Sequence, residues 1–277
     1  MTTPVLLLAL MVFTVAAQAE EGDAPLSFGA MGDGPRESSE WPEFARQIAA
    51  ESDDPRSMFL VHLGDICKGT KALPEWHYIG VAALLKTSRK PVYVVIGDNE
   101  WNDLEDPAIG WDYWLKHFGR FYRHFDNAPA TVTQPEQTGN FAFVKNRVLV
   151  IGLTLVGGTV HDEEEWKRRD ADNLAWVNEC LDRFGPGVQA AVVCAQAAPS
   201  NRKHGGFTAQ FVKSVEAFEK PVLYVHGDGH VYRLDLAWRA PNLTKVQVDR
   251  VATNPPLLIT VTANSDKPFT FDRRIEP

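Results

Sequence analysis

Pro91-Val-Tyr-Val-Val-Ile-Gly-Asp-Asn-Glu-Trp101 decides how the rest of the chain is read. Its apolar, β-branched run predicts a strand buried on both faces. Gly97 lets the backbone turn sharply where the strand stops. Asp98, Asn99 and Glu100 then present the oxygen-bearing side chains that hard cations prefer. The same grammar recurs. Ser27-Phe-Gly-Ala-Met-Gly32 runs into Asp33, and Met58-Phe-Leu-Val-His-Leu-Gly64 into Asp65. Pro221-Val-Leu-Tyr-Val-His-Gly227 runs into Asp228, with His230 close behind. In an open α/β sheet, ligands bind outside the carboxyl ends of the strands. Four carboxylates and a histidine are therefore expected on one rim. A lone Gly-Asp marks a turn as readily as a site. Four of them, ending the most hydrophobic strands, point to a cation, because crowded like charges repel unless neutralised.

The 277 residues, 44% hydrophobic and 23% charged, suffice for one large α/β domain over residues 20–277. The formal net charge is -8 with no lysine- or arginine-rich block, so nucleic acid is not an expected partner. At the N-terminus, Pro4 to Ala17 is apolar and ends in Ala17-Gln18-Ala19 before Glu20-Glu21. This small-x-small pattern predicts a secretory signal peptide over residues 1–19, although its first residues carry no lysine or arginine. The run is short for a bilayer span, and no other stretch is long enough. A soluble periplasmic or secreted protein, without stable membrane insertion after cleavage, is the expectation. Cys67, Cys180 and Cys194 form an odd set with no Cys-x-x-Cys, which argues against a thiolate zinc site.

Strands and helices alternate early. Trp41, Phe44, Ile48 and Ala49 mark a helix after the first strand, and Trp76 to Lys86 another after the second. The aromatic-rich stretch Asp106 to Phe125 reads as a helix packed on the sheet, with an aromatic wall of the active site as the alternative. Strand pairs dominate later. Phe141 to Leu153 predicts a hairpin turning at Asn146-Arg147. Asp162 to Phe184 predicts a long helix with an acidic first turn. Further strands are expected over Val188–Cys194, from Pro221 onward, with His230–Leu236 as its hairpin partner, and over Val246–Val251 and Leu257–Val261. Together these predict two packed sheets with helices outside.

The order of these blocks resembles the calcineurin-like metallophosphoesterases, in a distinct bacterial branch reading Gly-Asp-Asn-Glu-Trp and His-Gly-Asp-x-His. That family's pattern is Asp-x-His, Gly-Asp-x-x-Asp, Gly-Asn-His-Asp/Glu, a lone His, then Gly-His-x-His. The resemblance covers about residues 26 to 236 and implies an α/β/β/α sandwich of two mixed sheets. It implies two divalent ions and hydrolysis of a small-molecule phosphoester by a metal-held hydroxide. Asp33, Asp65 and His230 would hold one ion, and Asp65, Asp98 and Asp228 the other. Pro35 stands where the first histidine belongs, Gly69 near the later aspartate of the second block, and Asp98 at the ligand asparagine. Asn99 replaces the histidine that assists the leaving group, Gln196-Ala197 occupies the lone-histidine position, and Asp228 replaces the first histidine of the last block. Neutral ligands have thus become carboxylates, which favours manganese, magnesium, iron or calcium over zinc. The competing reading is a catalytically inactive binding or scaffold protein on the same fold.

If the protein is an enzyme, Asn99 is expected to hydrogen-bond a phosphate oxygen. His62, His226, Lys68 and Arg233 are candidates for phosphate contact or proton donation, with His230 shared between ligand and catalytic roles. Lys68 would balance charge beside the carboxylates. Trp101 would form a pocket wall. The His204-Gly-Gly206 loop is a candidate source of a histidine from a different position. The histidines inside apolar strands, His62 and His226, read equally as satisfied core residues.

Overall fold

The computed structural model describes residues 24–275 apart from residues 201 and 265; the expected signal peptide lies outside the described residues. The first half alternates as read: β1 (Leu26–Met31), α1 (Trp41–Asp53), β2 (Leu60–His62), α2 (Glu75–Leu85), β3 (Val92–Val94) and α3 (Pro107–Phe118). Then come β4 (Thr131–Thr133), β5 (Phe141–Lys145), β6 (Val148–Gly152), α4 (Glu163–Phe184), β7 (Ala190–Ala195), α5 (Gly205–Phe218) and β8 (Val222–His226). The chain closes with β9 (Arg233–Asp235), β10 (Leu243–Gln247), β11 (Leu257–Val261) and β12 (Phe269–Asp272). Local chemistry sets several boundaries. Asp106 caps α3 by accepting from the Ala108 and Ile109 amides, and Asp162 caps α4 by accepting from those of Glu164 and Glu165. Asn146 and Arg147 both have positive φ, as a two-residue hairpin turn requires.

Two mixed sheets result. One is ordered β12-β11-β1-β2-β3, the other β4-β5-β6-β7-β8-β10-β9. Within the first, β1, β2 and β3 run parallel and β11 and β12 antiparallel. Their inner faces meet in one core, with Phe28, Phe59, Val61 and Tyr93 against Phe143, Val150, Val192 and Val225. Phe59 stacks on Phe28 and meets Phe143 edge-on across the sheets. The outer face of the first sheet is covered by Phe44, Tyr78, Trp114 and Phe118 from α1, α2 and α3. That of the second is covered by Trp176, Cys180, Phe207 and Phe211 from α4 and α5. Alternation along each strand thus produces the four expected layers. No helix of the described residues is long and apolar enough to cross a membrane.

One expectation fails. The segment from His230 to Leu236 does not pair with the Pro221 strand. β10 takes that place, parallel to β8, and β9 pairs antiparallel with β10 at the sheet edge. The turn after β8 explains this: Gly227 to His230 is held at the rim, so the chain has no tight hairpin with which to return. The strand expected over Val246–Val251 also shifts, whereas that over Leu257–Val261 forms as β11. β10 ends at Gln247, and the following residues cross to the first sheet, where the Val251 amide donates to the Gly32 carbonyl.

Candidate metal centre

Asp33, Asp65 and Asp98 follow β1, β2 and β3, and Asp228 follows β8 of the other sheet. They converge where the carboxyl ends of both sheets face each other. Asp33, Asp65 and His230 each offer a ligand atom, all within 4.8 Å of one another. Asp98 and Asp228 border the same space: a side chain added at Gly157 would place its Cβ 3.2 Å from Asp98 Oδ2 and 3.3 Å from Asp228 Oδ1. The Asp228 amide donates to Asp33 Oδ1 at 2.7 Å, while Asp33 Oδ2 is buried with no hydrogen-bond partner among the described residues. An unmet buried acceptor costs on the order of 1–3 kcal/mol, and a divalent cation is the partner that oxygen fits. The backbone is arranged to the same end. Asp33, Asp65, Asp228 and His230 all have φ between 59° and 68°, a region non-glycine residues seldom occupy and that clusters at functional sites.

Glycines make the approach possible. Gly64, at φ 80°, passes so close to β3 that a Cβ there would lie 2.6 Å from the Gly97 nitrogen. A Cβ on Gly97 would overlap the Asp65 amide and carboxylate. Beyond Gly97 the chain makes a single π-helical turn, Asp98–Asn102. Glu100 in that turn is fully buried and accepts from the amides of Gly97 (2.6 Å), Asp65 (3.2 Å) and Ile66 (3.2 Å). It fixes the two loops against each other.

The electrostatics are those of a cation site. Burial raises Asp33 to about 7; the charges of Asp228 and Asp98 add to this, and the Asp228 amide and Arg36 oppose it. Burial raises Asp98 to about 6 and Glu100 to about 7, and pushes Asp65 well up, with Asp98 and Glu100 adding repulsion. Asp228 is also raised by burial, with His230 and Lys203 opposing. A divalent ion removes this mutual repulsion.

The other sequence-predicted residues take varied places. Asn99 is half-buried, and both hydrogens of its side-chain amide are engaged. Its amide nitrogen donates to Asp65 Oδ2 (2.9 Å) and to the Cys67 carbonyl (3.1 Å), so it orients Asp65. Lys68 turns outward to Glu37 at 3.2 Å, where solvent hydrates its ammonium, rather than toward the carboxylates. Arg233 lies on an edge strand, exposed, 3.4 Å from Asp235. His226 is buried in the core, its Nδ1 at 2.8 Å from the Gly227 carbonyl, and burial pulls it down to about 4. His62 Nε2 donates to the Gly34 carbonyl at 2.7 Å, steadying the loop after Asp33. Trp101 turns from the rim into a neighbouring pocket, against Trp111. His204 has both nitrogens engaged, with Asp170 (2.7 Å) and the Val156 carbonyl (2.8 Å).

Two residues escaped the sequence reading. In the sequence Gln196 reads only as the place where the family resemblance expects a histidine. It is fully buried, donates to Asp98 Oδ1 at 2.8 Å and accepts from the Gly157 amide at 2.7 Å. Arg36, three residues past Asp33, borders an open cavity of about 290 Å³ with Lys68 and Arg250. Glu40 takes Arg250 and Glu37 takes Lys68; the Arg36 guanidinium has no hydrogen bond or ion pair among the described residues. The position of Arg36, directly after Asp33-Gly34-Pro35, carries no motif that flags it.

No protein-family model matches the sequence, and no curated protein matches it either. Solved structures do. A dimetal phosphatase from Danio rerio superposes with a TM-score of 0.59 at 10% identity, over 89% of this chain and 98% of that one. The Plasmodium protein GAP50, described as the anchor in the inner membrane complex, gives 0.56 at 10% identity, over 90% and 88%. The 5'-nucleotidase from Candida albicans gives 0.51 at 13% identity, over 89% of this chain but 51% of that one. At such identities the likeness speaks for the fold alone. The chain, with its two mixed sheets and outer helices, has the calcineurin-like metallophosphoesterase fold.

Proposed function

We propose that the protein is a metal-dependent phosphoester hydrolase acting on a small molecule. The observation that carries this is the meeting of Asp33, Asp65 and His230 ligand atoms within 4.8 Å at the mouth between the sheets. Asp33, Asp65 and His230 would hold one divalent ion, and Asp65, Asp98 and Asp228 a second. Four carboxylates and one imidazole make a hard donor set, suited to manganese, magnesium, iron or calcium ahead of zinc. Such ions supply Lewis-acid activation of the phosphoryl group and of water. The chain does the rest. Glu100 and Asn99 fix Asp65, Gln196 fixes Asp98, and Arg36 stands ready to donate to phosphate oxygens. Asn99 cannot release a proton, so esters whose alcohol leaves readily are the preferred substrates.

The test is turnover of 4-nitrophenyl phosphate and bis(4-nitrophenyl) phosphate with Mn²⁺ or Mg²⁺. The account expects hydrolysis of at least one ester, lost in Asp65→Asn. A native protein that binds metal yet turns over neither ester supports the second reading, a non-catalytic binding or scaffold protein. Pro35, Asn99 and Gln196, standing where the family resemblance places histidines, favour that second reading.

We also propose export to the periplasm or beyond, from the apolar leader ending in Ala17-Gln18-Ala19. Amino-terminal sequencing of the mature protein is expected to begin at Glu20; an intact Met1 on exported material contradicts cleavage.

A further inference from the structure

The Asp98–Asn102 turn also borders a second concavity through Trp101 and Asn102. It has a volume of about 420 Å³, with Trp101, Trp111, Trp166, Asn102 and Arg169 among its walls. That size suits a single ring system with its substituents. Its walls are built with care. Arg169 on α4 is buried, with Nε and Nη2 paired to Glu165 at 2.8 and 2.9 Å. Its guanidinium carbon sits 4.7 Å from the Trp101 ring centre and 4.6 Å from that of Trp166. Two indoles and a carboxylate therefore hold this cation in one orientation. Its Nη1 is buried and has no acceptor among the described residues. A fixed charged donor left unmet is a group waiting for an acceptor.

Trp111 supplies the platform. It is half-buried, stacks on the buried Trp114 at 5.8 Å and 18° and tilts against Trp101 at 4.9 Å and 46°, so two neighbouring indoles hold it in place. The pocket also abuts the candidate metal centre. A Cβ on Gly158 would lie 2.8 Å from Asp98 Oδ2 and 2.9 Å from Nδ2 of the pocket-lining Asn102.

We propose that this pocket binds a planar aromatic group bearing a hydrogen-bond acceptor, with the ring against Trp111 and the acceptor toward Arg169. Resting on the phosphoesterase reading above, that group is the alcohol part of the substrate, its phosphate lying at the carboxylates. The substrate class is then an aryl or nucleoside phosphoester rather than a simple alkyl one.

Calorimetric titration of the native protein with adenosine and with 4-nitrophenol, and with glycerol as the aliphatic control, tests this without turnover. Saturable binding of at least one ring compound and none of glycerol is expected. Trp111→Ala should weaken it by about tenfold, the worth of one stacked ring. Ala108→Phe, which fills the mouth from an exposed position on α3, should block it as well and guards against misfolding of the first variant. No binding of either ring compound, or equal affinity in both variants, overturns the proposal. Ring binding without ester hydrolysis supports the pocket and contradicts only the hydrolase reading. Hydrolysis without ring binding overturns the pocket alone.

Discussion

Arg36 and Asp65 show how unevenly individual residues announce themselves. Asp65 ends a hydrophobic strand after glycine, and both features are written locally. Arg36 gains its place only because the loop after β1 brings its charge close enough to act on Asp33 and, from the other sheet's rim, His230. Its guanidinium has no ion-pair partner among the described residues, so on the proposed function it is free to meet a phosphate. Arg36→Gln is therefore expected to raise KM for an aryl phosphate about tenfold or more, the loss of a charge-assisted contact. Bound metal should be unchanged. An unchanged KM, or a loss of metal with the substitution, contradicts that role. Lys68 is the instructive converse. Its sequence neighbours suggested a charge beside the carboxylates, but a long side chain at an exposed position follows solvent and the nearest carboxylate, Glu37. Asn99 likewise sits where the chain order placed it, while its amide direction depends on Asp65 from another strand.

At the scale of elements, strand ends were legible because the physics is short-range: an apolar run, a glycine, then an acid. The hairpin at Asn146-Arg147 and the caps at Asp106 and Asp162 were legible for the same reason. The partner of β8 was not. Pairing depends on how the Gly227–His230 turn is held by Asp33 from the opposite sheet, a contact 195 residues away in sequence. The pocket of Trp101 was half-legible: aromatic density was plain, but its direction depends on α4 arriving with Arg169 and Trp166. One element-scale prediction follows from Gly97. Any side chain there overlaps Asp65, so Gly97→Ala must push β3 from β2. It is expected to destabilise the protein by about 1–3 kcal/mol, as overpacking does, and to weaken metal binding. Denaturant unfolding beside metal titration reads both. Native-like stability with native metal affinity contradicts the tight strand-end contact.

The whole molecule is two sheets clamped by a shared core, with acids gathered at one open end. Two sheets with helices outside could be read from the order of strands and helices, because the central strands bury both faces. The site at their junction has a pH signature. Without a cation, the folded values of Asp33 (about 7), Asp98 (about 6) and Glu100 (about 7) lie above their ordinary ones. The stability these groups contribute is full below their unfolded values and is lost as pH rises toward 7. His62 and His226 act oppositely. Burial lowers each to about 4, so their contribution is full above their unfolded value and is lost as pH falls toward 4. A bound cation relieves the carboxylates and leaves the histidines alone. The melting temperature gained on adding Mn²⁺ should therefore increase from about pH 5 to about pH 7.5. A gain that stays flat across that range, followed by calorimetry, contradicts a cation seated on these acids.

The most direct measurement is metal content by inductively coupled plasma mass spectrometry on the native protein, Asp65→Ala and Asp98→Ala, after incubation with Mn²⁺ and gel filtration. The account predicts divalent metal on the native chain, close to two equivalents, and loss of it in both variants that keep their fold. A native protein that retains no divalent ion, or variants that retain it as well as the native chain does, would contradict a metal centre built by these strand ends.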